Sequence, residues 1–264
     1  MKVNALEKII FSVAMATSFY GLIMPKPASE GMALIPAGTF LMGSKDGKDN
    51  EKPEHQVYVD SFYMDKTEVT VAQYQRFVNA TGRQMPDKWD EQLQNPNRPA
   101  VYVSWDDANA YASWAGKRLP AEAEWEYAAR GGNTGLGGKP KYDYPWGDDA
   151  SSSNANFDVN NTLWCNWENA KQYLKDVGSY AANGYGLYDM AGNVWEWCAD
   201  WSDGDYYKIS PSRNPKGPSD GAYRVLRGGS WCLEANVMRC ANRRGRAPAV
   251  RGELVGFRCV QGVR

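Results

Sequence analysis

Residues 183–201 read NGYGLYDMAGNVWEWCADW. Three tryptophans fall within the last seven residues of a stretch otherwise rich in Gly, Asn and Asp. It shows neither the period of 2 of a half-buried strand nor the 3.6 of an amphipathic helix. The same loss of periodicity runs from Gly131 to the C-terminus. Long irregular chain in a compact domain is normally functional, or held by ions or disulfides. The whole chain agrees, with 11 Trp, 26 Gly and 14 Pro in 264 residues. Those counts predict a loop-rich fold whose core is filled by large aromatics rather than by long regular elements.

Charge and histidine content exclude several functions. Thirty Lys+Arg against 31 Asp+Glu leave a net charge of -1, with no global pull toward nucleic acid or an anionic membrane. No nucleic-acid partner is expected. One histidine excludes every site that needs two, such as HExxH zinc proteases and two-His-one-carboxylate iron centres. Hydrolytic triads survive only with His55 as base. The sequence offers His55 neither a nucleophile nor an orienting carboxylate, so a structural role is expected.

Upstream of the opening stretch, regular elements are readable. Met32–Met42 has strand character broken at Pro36 and Gly38, and Gln56–Met64 reads as one strand. Thr70 caps a helix with Val71, Tyr74, Phe77 and Val78 on one face, ended by Gly82. Ser104 opens a second helix, closed near Gly116. A third follows Pro120, with Glu122, Glu124 and Glu126 suited to its dipole. Residues 1–31 have the layout of a secretory signal: Lys2 and Lys8, then an uncharged apolar run from Ile9 to Met24. Export to the periplasm, the medium or the cell surface is the expectation. An uncleaved anchor is the other reading, and this segment is the only membrane attachment expected. Residues 32–264 read as one domain. The five cysteines, Cys165, Cys198, Cys232, Cys240 and Cys259, form no CxxC pair, and their spacing does not fix any disulfide.

An ordered set of segments covers almost everything after residue 32. It runs IPAGTFLMGS (35–44), EKPEHQVYVDSFYMDKTEVTVAQYQRFV (51–78), VYVSWDDANAYASWAGKRLPAEAEWEYAARGG (101–132), YPWG (144–147), the stretch 183–201, RVLRGGSW (224–231) and GFRCV (256–260). Together they resemble the formylglycine-generating enzyme (sulfatase-modifying factor) family. The resemblance implies an α+β, C-type-lectin-like fold with few helices, short strands and much irregular chain. It also implies a choice between copper-dependent oxidases, which convert a sulfatase cysteine to formylglycine, and non-catalytic binding members. The family's iron-dependent sulfoxide synthases are excluded, because the histidines are missing.

Site residues follow from the resemblance. The oxidases use two cysteines after GGS as a soft ligand set for copper. Here Cys232 comes one residue early and the next cysteine is Cys240, so Cys232 and Cys240 are catalytic only as a displaced pair. The resemblance aligns Cys240 with a structural cysteine whose usual partner falls near Ala129, and sets Cys259 against Ala112. Calcium is implied at Asp189, Gly192, Val194 and Glu196, where two carboxylates and two carbonyls make hard oxygen ligands. A second set is Asn156, Phe157, Asn169 and Lys171, with Asn169 where an Asp is usual.

The segment 232–255 departs from the family frame and resembles the variable region of a retroelement-diversified protein, with ordinary drift as the other reading. Trp231, Cys232, Leu233, Val237, Arg244, Arg246, Ala247, Ala249, Val250, Gly252 and Leu254 are the candidate ligand-binding residues. Arg227, Arg239, Arg243, Arg244, Arg246, Arg251 and Arg258 face only Glu234 and Glu253 locally, which makes a basic C-terminal face unless several pair inward. Arg with Trp and aliphatic neighbours is typical of recognition hot spots. The expected function is therefore an exported, non-catalytic protein that binds a protein or small-molecule ligand through this surface. Copper enters only if the oxidase alternative holds.

Overall fold

The computed structural model describes residues 31–131, 141–151, 153–158 and 160–263. The expected signal segment, residues 1–30, lies outside them. Among the described residues no helix is long and apolar enough to cross a membrane.

The chain is a mixed α+β fold with short elements and long irregular connections. In order they are β1 (Met32–Ile35), β2 (Gly38–Met42), β3 (His55–Val59), β4 (Phe62–Asp65), α1 (Val71–Thr81), α2 (Trp89–Gln92), α3 (Trp105–Trp114), α4 (Glu122–Ala129) and α5 (Trp167–Tyr173). After them come β5 (Trp195–Trp201), β6 (Arg224–Arg227), β7 (Arg243–Arg246), β8 (Val255–Gly256) and β9 (Val260–Gly262). Three sheets form: β1-β4-β9, the hairpin β2-β3, and β7-β6-β5-β8. The last is antiparallel except for β8, which runs parallel to β5.

The helices start where their side chains can satisfy free N–H groups. Thr70 accepts from Gln73 N while Gln73 accepts from Thr70 N, and Ser104 and Asp107 make the same reciprocal box at α3. Gly82 ends α1 at φ +68°, a conformation glycine adopts freely. Helix α4 begins at Ala121, which has no capping side chain. Asp200, on β5, accepts from Glu122 N at 2.8 Å instead, so a strand supplies this helix cap.

Two expectations are corrected. Gln56–Met64 is not one strand: β3 pairs with β2 and β4 pairs with β1 and β9. The break falls at Asp60, whose N–H and carboxyl are drawn to Asn214 and Arg213. The aperiodic stretch 195–201 is the strand β5. It is buried on both faces, packed between the cluster of Trp125, Val225 and Cys198 and that of Trp197, Leu226 and Phe257. Its apolar residues do alternate with Glu196 and Asp200, but those carboxylates are buried on partners rather than solvated, so the pattern marks no outward face.

Candidate functional site

The C-terminal segment is built around arginines, and most of them turn inward. Arg258 donates from Nε and Nη2 to the two oxygens of Glu196 at 2.8 Å each, with Trp125 Nε1 adding a third donor. Arg243 makes the same fork to Glu122, and Arg239 reaches both oxygens of Glu51 from Nη1 and Nη2. Arg227 lies between Glu126 and the Asn242 carbonyl, and Arg251 pairs with Asp107. The carboxylate partners all come from outside the segment. The expected basic face is thus reduced to Arg244, which is exposed, and Arg246, which is half-buried. Arg224, on the neighbouring strand, joins them.

The candidate ligand-binding residues divide in the same way. Trp231 and Cys232 are buried, at 1% and 2% exposure, and present nothing to solvent. Trp231 stacks on Tyr173, as its size and apolar surface dictate. Leu233, Val237 and Leu254 are half-buried against the core clusters. Ala249 is exposed, while Ala247, Val250 and Gly252 are half-buried.

The cysteines do not present two thiols. Cys232 is bonded to Cys165, with Cα atoms 5.6 Å apart. Cys240 is wholly buried, and burial pushes its thiol up to about 12. It shares a core cluster with Ala129, and Cys259 shares one with Ala112. Cys198 and Cys259 are likewise buried thiols held well above their ordinary range by burial. The thiolate is the species that binds a soft metal. Cys232 and Cys240 therefore do not fit a copper pair.

Asp189 and Gly192 of the first calcium set lie on a loop with left-handed backbone. Asp189 and Asn193 hold φ +54° and +57°, and Gly192 holds φ +79° where a Cβ would collide with the Asn156 carbonyl oxygen. Asp189 Oδ2 accepts from Gly178 N. Glu68, which sequence reasoning missed, completes the cluster. Asn193 Nδ2 reaches its Oε1 at 3.0 Å, and its Oε2 is buried with no hydrogen-bond partner. Burial, and then the charge of Asp189, hold Glu68 well above the ordinary carboxylate range; burial raises Asp189 too. Glu196 is committed to Arg258 and Trp125. An orphaned carboxylate oxygen beside a second carboxylate is the hard donor chemistry that calcium takes. Even so, no group of three ligating side chains is arranged as a metal cluster among the described residues.

In the second calcium set the Lys171 carbonyl oxygen is already engaged, while the two asparagines are held through their amide nitrogens. Asn156 donates to Tyr173 O and Asn193 Oδ1, Asn169 donates to Trp164 O, and the Lys171 carbonyl is taken by Arg98. Phe157 is packed with Tyr144, Ala155 and Met238.

A separate cleft of about 440 Å³ is lined by residues including Asp60, Arg118, Glu124, Asp200 and Lys216. Burial, and then the charge of Glu122, push the Asp200 carboxyl up to about 8. His55 is structural in its contacts, with Nδ1 on Pro53 O and the ring 4.8 Å from Tyr207. Glu68 stands next to the cap segment of α1, inside the family segment 51–78, and Cys165 is one of five cysteines whose spacing fixes no disulfide. Those were the only sequence signals for either.

Residues 20–263 match the sulfatase-modifying factor enzyme 1-like domain. The serine/threonine-protein kinase pkn1 of Chlamydia caviae is 40% identical over 92% of this chain, which spans only 40% of that kinase's length. The formylglycine-generating enzyme of Streptomyces coelicolor is 38% identical over 88% of this chain and 89% of its own length. The inactive C-alpha-formylglycine-generating enzyme 2 of Bos taurus is 31% identical, with 88% of both chains covered. Among solved structures, PvdO from Pseudomonas aeruginosa is similar with a TM-score of 0.72 and 29% identity, covering 88% of this chain and 94% of that one. Treponema denticola variable protein 1 shares the fold, with a TM-score of 0.68 and 23% identity over 88% of this chain and 95% of its own.

Proposed function

Since this chain belongs to the sulfatase-modifying factor family, we propose that it is an exported, non-catalytic member that binds a ligand through the exposed part of residues 232–255. One observation carries this reading: Cys232, the cysteine nearest the family's oxidase position, is closed in a disulfide with Cys165. The other described thiols are buried and protonated at neutral pH. Without two accessible thiolates the copper chemistry of the oxidases has no ligands. A bovine relative named as inactive supports a loss of catalysis within this fold. The kinases matched at 40% of their length support its use as a unit joined to other functions. Of the candidate residues, Arg244, Arg246, Ala247, Ala249, Val250 and Gly252 remain available to a ligand. Retroelement diversification of the segment belongs to the same proposal, and its test is an adjacent near-copy of these codons differing at adenines.

The test of catalysis uses a sulfatase-type peptide, Cys-x-Pro-x-Arg, incubated with the protein and copper. No aldehyde is expected. Aldehyde formation that disappears in Cys232→Ser or Cys240→Ser would establish the oxidase alternative.

Calcium at the Asp189 loop is a further part of the proposal, with Asp189, Glu68 and the Gly192 and Val194 carbonyls as its ligands. The orphaned Glu68 oxygen supports it. A bound ion stabilises the folded state by mass action. Chelator is expected to lower the melting temperature of the wild type and to leave Glu68→Gln unaffected. An unchanged wild-type melt would remove calcium from the account.

A further inference from the structure

Three arginines without a carboxylate partner among the described residues stand on the edge strand β7 and its neighbour β6. β7 is the outer strand of its sheet and pairs with β6 in the register Arg224↔Arg246, Val225↔Gly245, Leu226↔Arg244 and Arg227↔Arg243. Ser202 N donates to Tyr223 O, so the odd-numbered residues of this segment turn their backbone groups toward β5. The even-numbered ones, Arg224 and Leu226, then exchange hydrogen bonds with Arg246 and Arg244. Arg243 and Gly245 consequently direct N–H and C=O away from the sheet. Asn50 Nδ2 meets Arg243 O on that outer side. Gly245 is exposed, and a Cβ there would lie 2.8 Å from Ser202 Oγ.

Opposed residues share a face, so Arg224, Arg244 and Arg246 stand together on one side. Like charges directly opposite each other are destabilising. None of the three is ion-paired among the described residues. Asp200 and Asp106 act on Arg224 only through longer-range attraction. The rings of Trp105 and Trp201 hold the Arg224 guanidinium between them, 3.8 and 3.5 Å from their centroids. Its Nη1 donates to Ala199 O, and its Nε is buried without a partner. At Arg244, burial and then the Arg246 charge disfavour the cation.

Deepening the binding reading above, on which it rests, we infer that β7 accepts an extended acidic segment of a protein partner as an added strand. Carboxylates at every second residue of that segment meet Arg244 and Arg246. Two residues of strand span about 6.6 Å on both sides of such a pairing, so the charges stay in step. The outward N–H and C=O of Gly245 match a peptide backbone, which a polysaccharide or a lipid headgroup does not offer. Strand addition of this kind draws affinity from main-chain hydrogen bonds and specificity from alternate side chains.

The test is fluorescence-polarisation binding of labelled peptides to the full chain. A peptide that alternates glutamate and threonine is expected to bind at least tenfold more tightly than a block peptide of the same composition, with all its glutamates before all its threonines. N-methylation of the central threonine that would face Gly245 is expected to cost a further tenfold or more, with no change in charge. The pair Arg244→Glu with Arg246→Glu is expected to keep its melting temperature, lose the alternating glutamate peptide and gain its lysine-threonine counterpart. Equal affinity for alternating and block peptides, or indifference to N-methylation, would make this a polyanion surface and overturn the proposal. So would no binding at all. A negative aldehyde assay alongside absent peptide binding ends this inference alone and leaves the non-catalytic reading standing.

Discussion

The arginines of β6 and the C-terminal segment fall into two groups that differ in partners rather than in kind. Arg227, Arg243 and Arg258 are buried, and each meets a buried carboxylate. Arg224, Arg244 and Arg246 share β6 and β7 with Arg227 and Arg243, and none of the three is ion-paired among the described residues. Strand geometry sorts them. On β7, Arg243 faces the Glu122 side while Arg244 and Arg246 face the Trp105 side, because successive residues alternate. The first group holds distant stretches of chain together; in the second, Arg224 is clasped by Trp105 and Trp201, and Arg244 and Arg246 are left to meet something else.

The largest effect expected from breaking this contrast is in the buried group. Glu196→Gln leaves Arg258 charged and unneutralised in the core. It should destabilise the fold by about 3–5 kcal/mol, read from a denaturant midpoint. Cys165→Ser opens the bond that ties residue 232 to the loop before α5. A loss of about 2–4 kcal/mol is expected in thermal or denaturant unfolding. A mutant as stable as wild type would mean that the loop is held by its packing alone.

Asp200 gives a pH signature of the same buried network. Its folded carboxyl is raised from 3.8 to about 8, so the native state binds more protons than the unfolded chain across that range. Stability must therefore fall as pH rises from about 4 to about 8. Asp200→Asn keeps an acceptor for Glu122 N and should flatten this slope, measured as melting temperature against pH. Smallest of all is Arg244→Ala, an exposed and unpaired site, where a change within about 0.5 kcal/mol is expected. A large loss there would place Arg244 with the structural group.

The contrast also shows what one sequence could reveal. Helices α1 and α3 were legible because their apolar faces recur at helical spacing and Thr70 and Ser104 announce the caps. β5 was not, because its short alternation is set in aperiodic chain and its polar positions, Glu196 and Asp200, are buried. α2 and α5 are too short to show one. That several C-terminal arginines pair inward was one of the two readings the sequence left open, but which carboxylates they meet depends on contacts up to 188 residues apart. Trp231 read as a surface anchor by composition, yet its stacking on Tyr173 is a tertiary fact. Glu68 lies in the family segment 51–78 but had no metal-ligand signal, and only the fold sets it against Asp189.

Cys232 decides between the non-catalytic reading and the oxidase. Peptide mapping by mass spectrometry of the unreduced protein, alkylated first in its native state, measures it directly. A linked Cys165–Cys232 peptide is predicted, with no native labelling of Cys198, Cys240 or Cys259. An alkylated Cys232, with a second cysteine labelled at native pH, would contradict that reading and return the oxidase chemistry to this chain.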